Sequence, residues 1–180
     1  VASDLRLLSM GPRAGISEIA LPAVQPGSSI MPGKVNPSVP EMVNQVCYQV
    51  MGCDVTVAAA GEAGQLELNV MMPVMAWNAL HMSTILRESM NALRTRCVDG
   101  IEADPARSRE LLDRSTAMAT ALSPYLGYAR TADIAKEAVR TGRPIRDIVL
   151  ERGLMDEQQL SRILSVENMT RPGVVGDAKR

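Results

Sequence analysis

The sequence of 180 residues contains no phenylalanine, and aromatic residues make up only 2% of it. Strands usually draw on aromatic and β-branched side chains, so this shortage argues against a fold built on β-sheets. The sequence does contain twelve methionines, whose flexible side chains fill gaps between packed helices. We therefore expect an all-α fold.

An excess of either charge is also absent, since 19 basic residues face 20 acidic ones and the net charge is −1. A nucleic-acid-binding domain usually carries a basic face, and the arginines between residues 87 and 152 are interleaved with acidic residues. No apolar run is long enough to cross a bilayer. We expect neither a nucleic-acid partner nor a membrane partner.

Cysteine and histidine are scarce, with three residues of the first kind and one of the second. Cys47, Cys53 and Cys97 are too widely spaced to form a metal-binding pair, so we expect no metal site and a reducing, cytoplasmic setting. His81 falls on a helical stretch away from the segment discussed below. We interpret it as a packing or surface residue.

The first hundred residues combine a long irregular segment with long helices. Six prolines between residues 10 and 40 exclude a regular helix there. Apolar residues then recur at helical spacing from Glu41 to about residue 60, and again from Pro73 to Cys97. The second set of apolar residues extends over about seven helical turns, roughly 39 Å. A helix of this length with so narrow an apolar face requires partner helices, as in a bundle.

After Gly100 the pattern changes to short, separately capped helices. Asp104-Pro105 opens one, Thr131 caps another that ends at Gly142, and Asp156 with Gln159 resembles a capping box. We therefore predict two domains: residues 1–100, part of a central helical bundle, and residues 101–180, a small carboxy-terminal helical domain with a loose tail from residue 171. The chain opens at Val1 within an amphipathic stretch, which suggests a fragment of a longer protein.

Residues 25–37 hold the side chains with the clearest chemistry. Gly27 lets the backbone approach a ligand closely, Ser28 and Ser29 supply hydroxyls, Lys34 supplies a cation and Asn36 an amide. This set suits a small dicarboxylate, with Lys34 pairing one carboxylate. From residue types alone, a glycine- and proline-rich connector explains the segment equally well.

The order of the residues distinguishes these interpretations. Residues 27–37 read Gly-Ser-Ser-Ile-Met-Pro-Gly-Lys-Val-Asn-Pro, which resembles, without a gap, the mobile catalytic loop of the fumarase/aspartase superfamily. The resemblance covers nearly the whole chain, including residues 4–9, 11–13 and 62–70. It implies a lyase that removes a proton beside a carboxylate, expels a group from the neighbouring carbon and needs no cofactor.

The resemblance also implies roles for individual residues. Ser28 matches the general base, and Glu41 matches an acid that pairs with a histidine from the amino-terminal half of the family chain. Ser29, Lys34, Val35 and Asn36 match substrate contacts. Members of the family are homotetramers in which three subunits form each site, so this chain alone is expected to be inactive.

Residues 40–48 and 62–66 are most similar to the aspartase branch of the family. We expect the chain to be the carboxy-terminal part of an ammonia-lyase that reversibly converts L-aspartate to fumarate and ammonia. Two alternatives remain open: a fumarate hydratase that interconverts malate and fumarate, and a non-catalytic, truncated helical assembly module.

Overall fold

The computed structural model describes residues 1–174, and the regular structure in this part of the chain is helical with almost no sheet, which confirms the expected all-α fold. The predicted loose tail therefore lies outside the described residues from residue 175 onward. The helices are α1 Ala2–Leu8, α2 Ser38–Glu62, α3 Met72–Arg96, α4 Pro105–Asp113, α5 Ser123–Leu126, α6 Tyr128–Thr141, α7 Ile145–Glu151, α8 Glu157–Ile163 and α9 Val166–Met169. Two-residue strands, β1 Ile19–Ala20 and β2 Glu102–Ala103, and 3₁₀ turns at Val98–Gly100 and Thr116–Leu122 complete the elements.

The described chain divides into two compact units, Val1–Asp104 and the residues from Pro105 onward. The division falls four residues after the boundary expected from the sequence. The short antiparallel pairing of β2 with β1 accounts for the difference, since it ties Glu102 and Ala103 to the first unit. The backbone N–H of Asp104 extends this connection by donating to the carbonyl of Glu18.

A hairpin of the two long helices dominates the first unit. Val39 and Val43 in the first turns of α2 are buried with Leu93 and Cys97 at the end of α3, so the helices run antiparallel. Between them, the side chain of Asn69 donates to the carbonyls of Ala60 and Gly61 and thereby closes the last turn of α2. The hairpin forms the frame from which the segment of residues 25–37 emerges.

Helix α2 begins three residues earlier than expected, at Ser38 rather than Glu41. Pro40 had suggested a later start, but a proline in the first helical turn loses no hydrogen bond, because the N–H groups there have no intrahelical partner. Glu41 consequently lies within the first turn of α2 and not at its beginning.

The second unit surrounds a core of its own, in which Leu122, Ile134, Ile148 and Leu160 are fully buried. The predicted stop at Gly142 is confirmed by its left-handed φ of 71°. The predicted cap at Asp156 is confirmed as well, since its side chain accepts from the N–H of Gln159 at 2.7 Å.

The prediction that Thr131 caps a helix is wrong. Helix α6 begins at Tyr128, directly after Gly127, which occupies the N-cap position with a φ of 79°. Thr131 instead lies inside the helix, where its hydroxyl donates to the carbonyl of Gly127 at 2.9 Å. Such back-bonding satisfies a threonine hydroxyl away from the cap.

Within residues 1–174, none of the helices combines the length and the apolar character needed to cross a bilayer.

Candidate active site in the loop of residues 25–37

The candidate loop connects the segment after β1 to the first turn of α2, and hydrogen bonds close it at its base. The N–H of Gly27 donates to the carbonyl of Lys34 at 2.9 Å, and the side-chain amide of Asn36 donates to the carbonyl of Gly27 at 2.8 Å. The side chains of Gln25 and Ser38 are joined at 2.9 Å. We call these three bonds the neck, because they hold the two ends of the loop together.

Gly27 is the point of closest approach in the neck. A β-carbon at this position would lie 2.4 Å from the carbonyl oxygen of Lys34, a distance that no real contact of this kind shows. A side chain would therefore force the two ends of the loop apart. The geometry gives a specific reason for glycine at the start of the loop.

The Ser28 hydroxyl lies against the backbone of the residues that follow it. Its Oγ accepts hydrogen bonds from the backbone N–H groups of Ile30 and Met31, each at 3.2 Å. Both donors favour negative charge on the oxygen, because a hydrogen bond donated to a charged form stabilises that form. This arrangement can lower the free energy of a serine alkoxide.

Lys34, six residues after Ser28, is exposed to solvent. Gly33 precedes it with a φ of 77°, a conformation that favours glycine and turns the chain back toward the neck. In the described part of the protein, the ammonium of Lys34 forms no ion pair with a carboxylate. It is therefore available to an anionic ligand.

Two open concavities flank Lys34. One, of about 540 Å³, is lined by Ser28, Lys34 and Val35 together with residues 23–27 and 31–33. The other, of about 470 Å³, is lined by Lys34, Val35 and Asn36 together with parts of residues 9–23. Either space is large enough for a four-carbon diacid.

Four of the six residues proposed from the sequence line these concavities: Ser28 lines the first, Asn36 the second, and Lys34 and Val35 line both. Ser29 is exposed and lines neither concavity, and Glu41 is half-buried on α2 and lines neither as well. Asn36 departs from the expectation in one respect, because its amide already donates to Gly27 rather than standing free.

Sequence reasoning missed the side-chain pair of Gln25 and Ser38. Both residues flank the motif, and neither carries a chemical signal that distinguishes it from an ordinary polar residue. Their pairing depends on a fold that brings positions 13 residues apart in sequence to within hydrogen-bond distance.

His81 and the cysteines take no part in this site. The ring of His81 stacks on Trp77 within α3, with centroids 6.2 Å apart, as a packing residue would. Burial raises the pKa of the Cys97 thiol. Among residues 1–174, histidine, cysteine, aspartate and glutamate form no cluster able to hold a metal ion.

Two protein-family models match the chain. The model described as "Lyase" matches residues 1–52, which include the whole candidate loop. The model described as "Fumarase C C-terminus" matches residues 118–171 in the second unit.

Curated relatives match almost the entire chain. It is 48% identical over 176 residues to the aspartate ammonia-lyase of Bacillus subtilis, covering 98% of the chain and 37% of that protein. It is 51% identical over 172 residues to the aspartate ammonia-lyase of Helicobacter pylori, covering 96% of the chain and 37% of that protein. The chain therefore spans little more than a third of the length of these relatives.

Solved structures show the same fold. A fumarate lyase:delta crystallin from Brucella melitensis bound to cobalt is 52% identical with a TM-score of 0.87, covering 95% of this chain and 37% of that one. A class II fumarase from Schistosoma mansoni is 37% identical with a TM-score of 0.88, covering 95% of this chain and 36% of that one.

Proposed function

The chain belongs to the fumarase/aspartase superfamily of lyases, and we propose that it forms the carboxy-terminal part of an aspartate ammonia-lyase. The reaction is the reversible conversion of L-aspartate to fumarate and ammonia. Because the chain covers 37% of the relatives' length, we assign it the catalytic loop and not the complete active site.

The observation that carries this proposal is the pair of N–H groups donating to Ser28 Oγ. A serine hydroxyl is a poor base at neutral pH, so it can remove a proton only if its alkoxide is stabilised. Fixed donors aimed at the oxygen provide that stabilisation without reorganisation during the reaction. We assign Ser28 as the general base that takes the proton from the carbon beside the substrate carboxylate.

Lys34 supplies the charge that such a substrate requires. Proton abstraction leaves a doubly charged intermediate on the carboxylate, and a cation held beside it favours this state over the substrate. Val35 and Asn36 line the same space on the other side of Lys34. We assign Ser29, Lys34, Val35 and Asn36 to substrate binding, with Ser29 turning inward when the loop closes.

Glu41 has a different role in this proposal. It lies in the first turn of α2, three residues after the loop's last tight contact at Ser38. We assign it to orient a histidine supplied by a part of the family chain outside this sequence. The three free cysteines fit the proposed cytoplasmic setting.

The proposed assembly is a homotetramer with active sites shared between subunits. Several large apolar side chains of the helical hairpin are more than half exposed in the single chain, including Tyr48, Met51, Trp77 and Leu80. Such a surface on two long helices requires burial against other helices. A module with assembly as its only function would have the same surface. The backbone donors to Ser28, and a Lys34 that forms no ion pair with any carboxylate of residues 1–174, favour catalysis.

Fumarate hydratase is the second candidate, favoured by the similarity to the class II fumarase. The identity to that protein is 37%, against 48% and 51% to the two aspartate ammonia-lyases. The balance therefore favours L-aspartate over malate.

The test follows the ultraviolet absorbance of fumarate formed from L-aspartate and, separately, from malate. It uses the full-length protein, because the upstream part of its relatives is absent from this chain. Fumarate from aspartate alone is the expected result, whereas fumarate from malate alone would establish the hydratase. Activity on neither substrate would leave the assembly module as the remaining function.

A further inference from the structure

The outermost bond of the neck lies outside the motif and involves only side chains. Gln25 Nε2 donates to Ser38 Oγ at 2.9 Å, while the two inner bonds each involve the backbone of Gly27. Gln25 belongs to the irregular segment that leads into the loop, and Ser38 is the first residue of α2. The bond therefore attaches an irregular segment to the end of a long helix.

Ser38 also organises the exit of the loop. Its N–H donates to the carbonyl of Asn36 at 2.8 Å, so the same residue that holds Gln25 fixes the peptide that follows Asn36. Asn36 in turn holds Gly27, the residue before Ser28. A continuous series of hydrogen bonds thus connects Gln25 to the position of Ser28.

We propose that Gln25 and Ser38 are positioning residues whose side-chain hydrogen bond keeps the neck closed and so holds Ser28 and Lys34 in reacting geometry. This inference rests on the proposed function for its kinetic consequence, but its structural content concerns the loop alone. The bond is exposed to water, so its loss weakens the neck without unfolding the hairpin.

The kinetic test compares Gln25→Ala, Ser38→Ala and the double variant in the full-length protein. Each single substitution is expected to lower kcat about fivefold, with a smaller change in KM, because a looser neck misplaces the base more than it weakens binding. The double variant should lose no more than Ser38→Ala alone, again about fivefold. Gln25→Ala removes only the bond to Ser38 Oγ, whereas Ser38→Ala removes that bond and the longer one, at 3.5 Å, from its hydroxyl to the carbonyl of Asn36. A loss near 25-fold, the product of two independent effects, would overturn the proposal.

Two further variants separate positioning from other roles. Ser38→Thr retains the hydroxyl and should restore the wild-type rate, while Gln158→Ala, an exposed glutamine in α8, should leave the rate unchanged. If Gln25→Ala lowers the rate but Ser38→Ala does not, Gln25 acts on its own and the pair has no positioning role.

A second measurement does not depend on the reaction. Hydrogen exchange followed by mass spectrometry should show faster exchange in residues 26–36 of Gln25→Ala and Ser38→Ala, with an unchanged unfolding temperature. If the wild type lacks lyase activity but exchange rises in both variants, the proposed function is wrong, while the proposal that the bond between Gln25 and Ser38 keeps the neck closed is supported. Unchanged exchange in both variants would show that this bond does not keep the neck closed, whatever the activity.

Discussion

The two units of the chain differ in how completely their large apolar side chains are buried. In the second unit, Leu122, Ile134, Ile148 and Leu160 are all 0% exposed. In the first unit, Leu80 and Trp77 are each 71% exposed on α3. The second unit therefore has a core of its own, whereas the helical hairpin presents much of its apolar surface to solvent.

This difference separates the unit that is stabilised by its own core from the unit that carries the candidate loop. A small domain that buries its apolar side chains internally obtains its stability from that core. The candidate loop, in contrast, is attached to α2 of the hairpin, which leaves large apolar side chains exposed in the single chain. Under the proposed function, catalysis depends on assembly of the first unit, whereas the stability of the second unit does not.

The largest expected effect concerns the loop of the first unit. Ser28→Ala removes the proposed base and should lower kcat by about a thousandfold, within the range typical of a general base. Assembly and the exchange protection of the second unit should stay unchanged. The fumarate assay and light scattering measure the two properties separately.

The matched control for this change is Ser83→Ala. Among the described residues, the Ser83 hydroxyl donates only to the carbonyl of Ala79 within its own helix, so the rate should be retained. A full rate in Ser28→Ala would remove this residue as the base.

A smaller effect is expected on the exposed surface of the hairpin. Leu80→Ser should cost about 2 kcal/mol for each copy that buries this side chain, and shift the protein toward smaller species. Light scattering during gel filtration measures the mass. The control is Val139→Ser, at a residue 73% exposed in the second unit, which should leave the mass unchanged. An unchanged mass in Leu80→Ser would mean that the hairpin surface is not an interface.

The third effect is confined to the core of the second unit. Ile148→Ala leaves a cavity at a fully buried position and should lower the free energy of unfolding of this unit by about 3 kcal/mol. Hydrogen exchange in residues 145–151 should accelerate, whereas the fluorescence of Trp77, the only tryptophan, should report unchanged unfolding of the first unit. A parallel loss in both units would contradict their independence.

Local signals in the sequence predicted much of this fold correctly. The stop at Gly142 and the cap at Asp156 depend on a few neighbouring residues, and both are confirmed. The cap at Thr131 was wrong because threonine can satisfy its hydroxyl inside a helix as well as before one. Gly127, which occupies the cap position, offered no side chain to identify it.

The candidate site was predictable in composition but not in geometry. The order of the residues in the motif made Ser28 and Lys34 candidates, because their residue types alone fitted a connector equally well. The donors to Ser28 are backbone groups of Ile30 and Met31, which every sequence contains, so only the conformation of the turn identifies them. The bond between Gln25 and Ser38 is likewise set by the folded chain.

The smallest expected effect concerns the charged surface of α4 in the second unit. A hydrogen bond from Arg107, with a weaker contribution from Arg114, holds the pKa of the Glu110 carboxyl below its ordinary value. A carboxyl with a lowered pKa stabilises the fold at neutral pH, and this contribution disappears as the pH falls through the lowered pKa. Glu110→Gln should therefore lower the unfolding temperature only slightly, by about 2 °C at most, because the pair is exposed.

The dependence on pH distinguishes this charge effect from a change in packing. The difference between Glu110→Gln and the wild type should vanish in acid, where the carboxyl is neutral in both the folded and the unfolded state. Glu167→Gln is the control, because within residues 1–174 the carboxylate of Glu167 forms no ion pair. If the unfolding temperature of Glu110→Gln stays below that of the wild type in acid, packing contributes more than charge at this surface. The second unit would then be stabilised by packing at its surface as well as in its core.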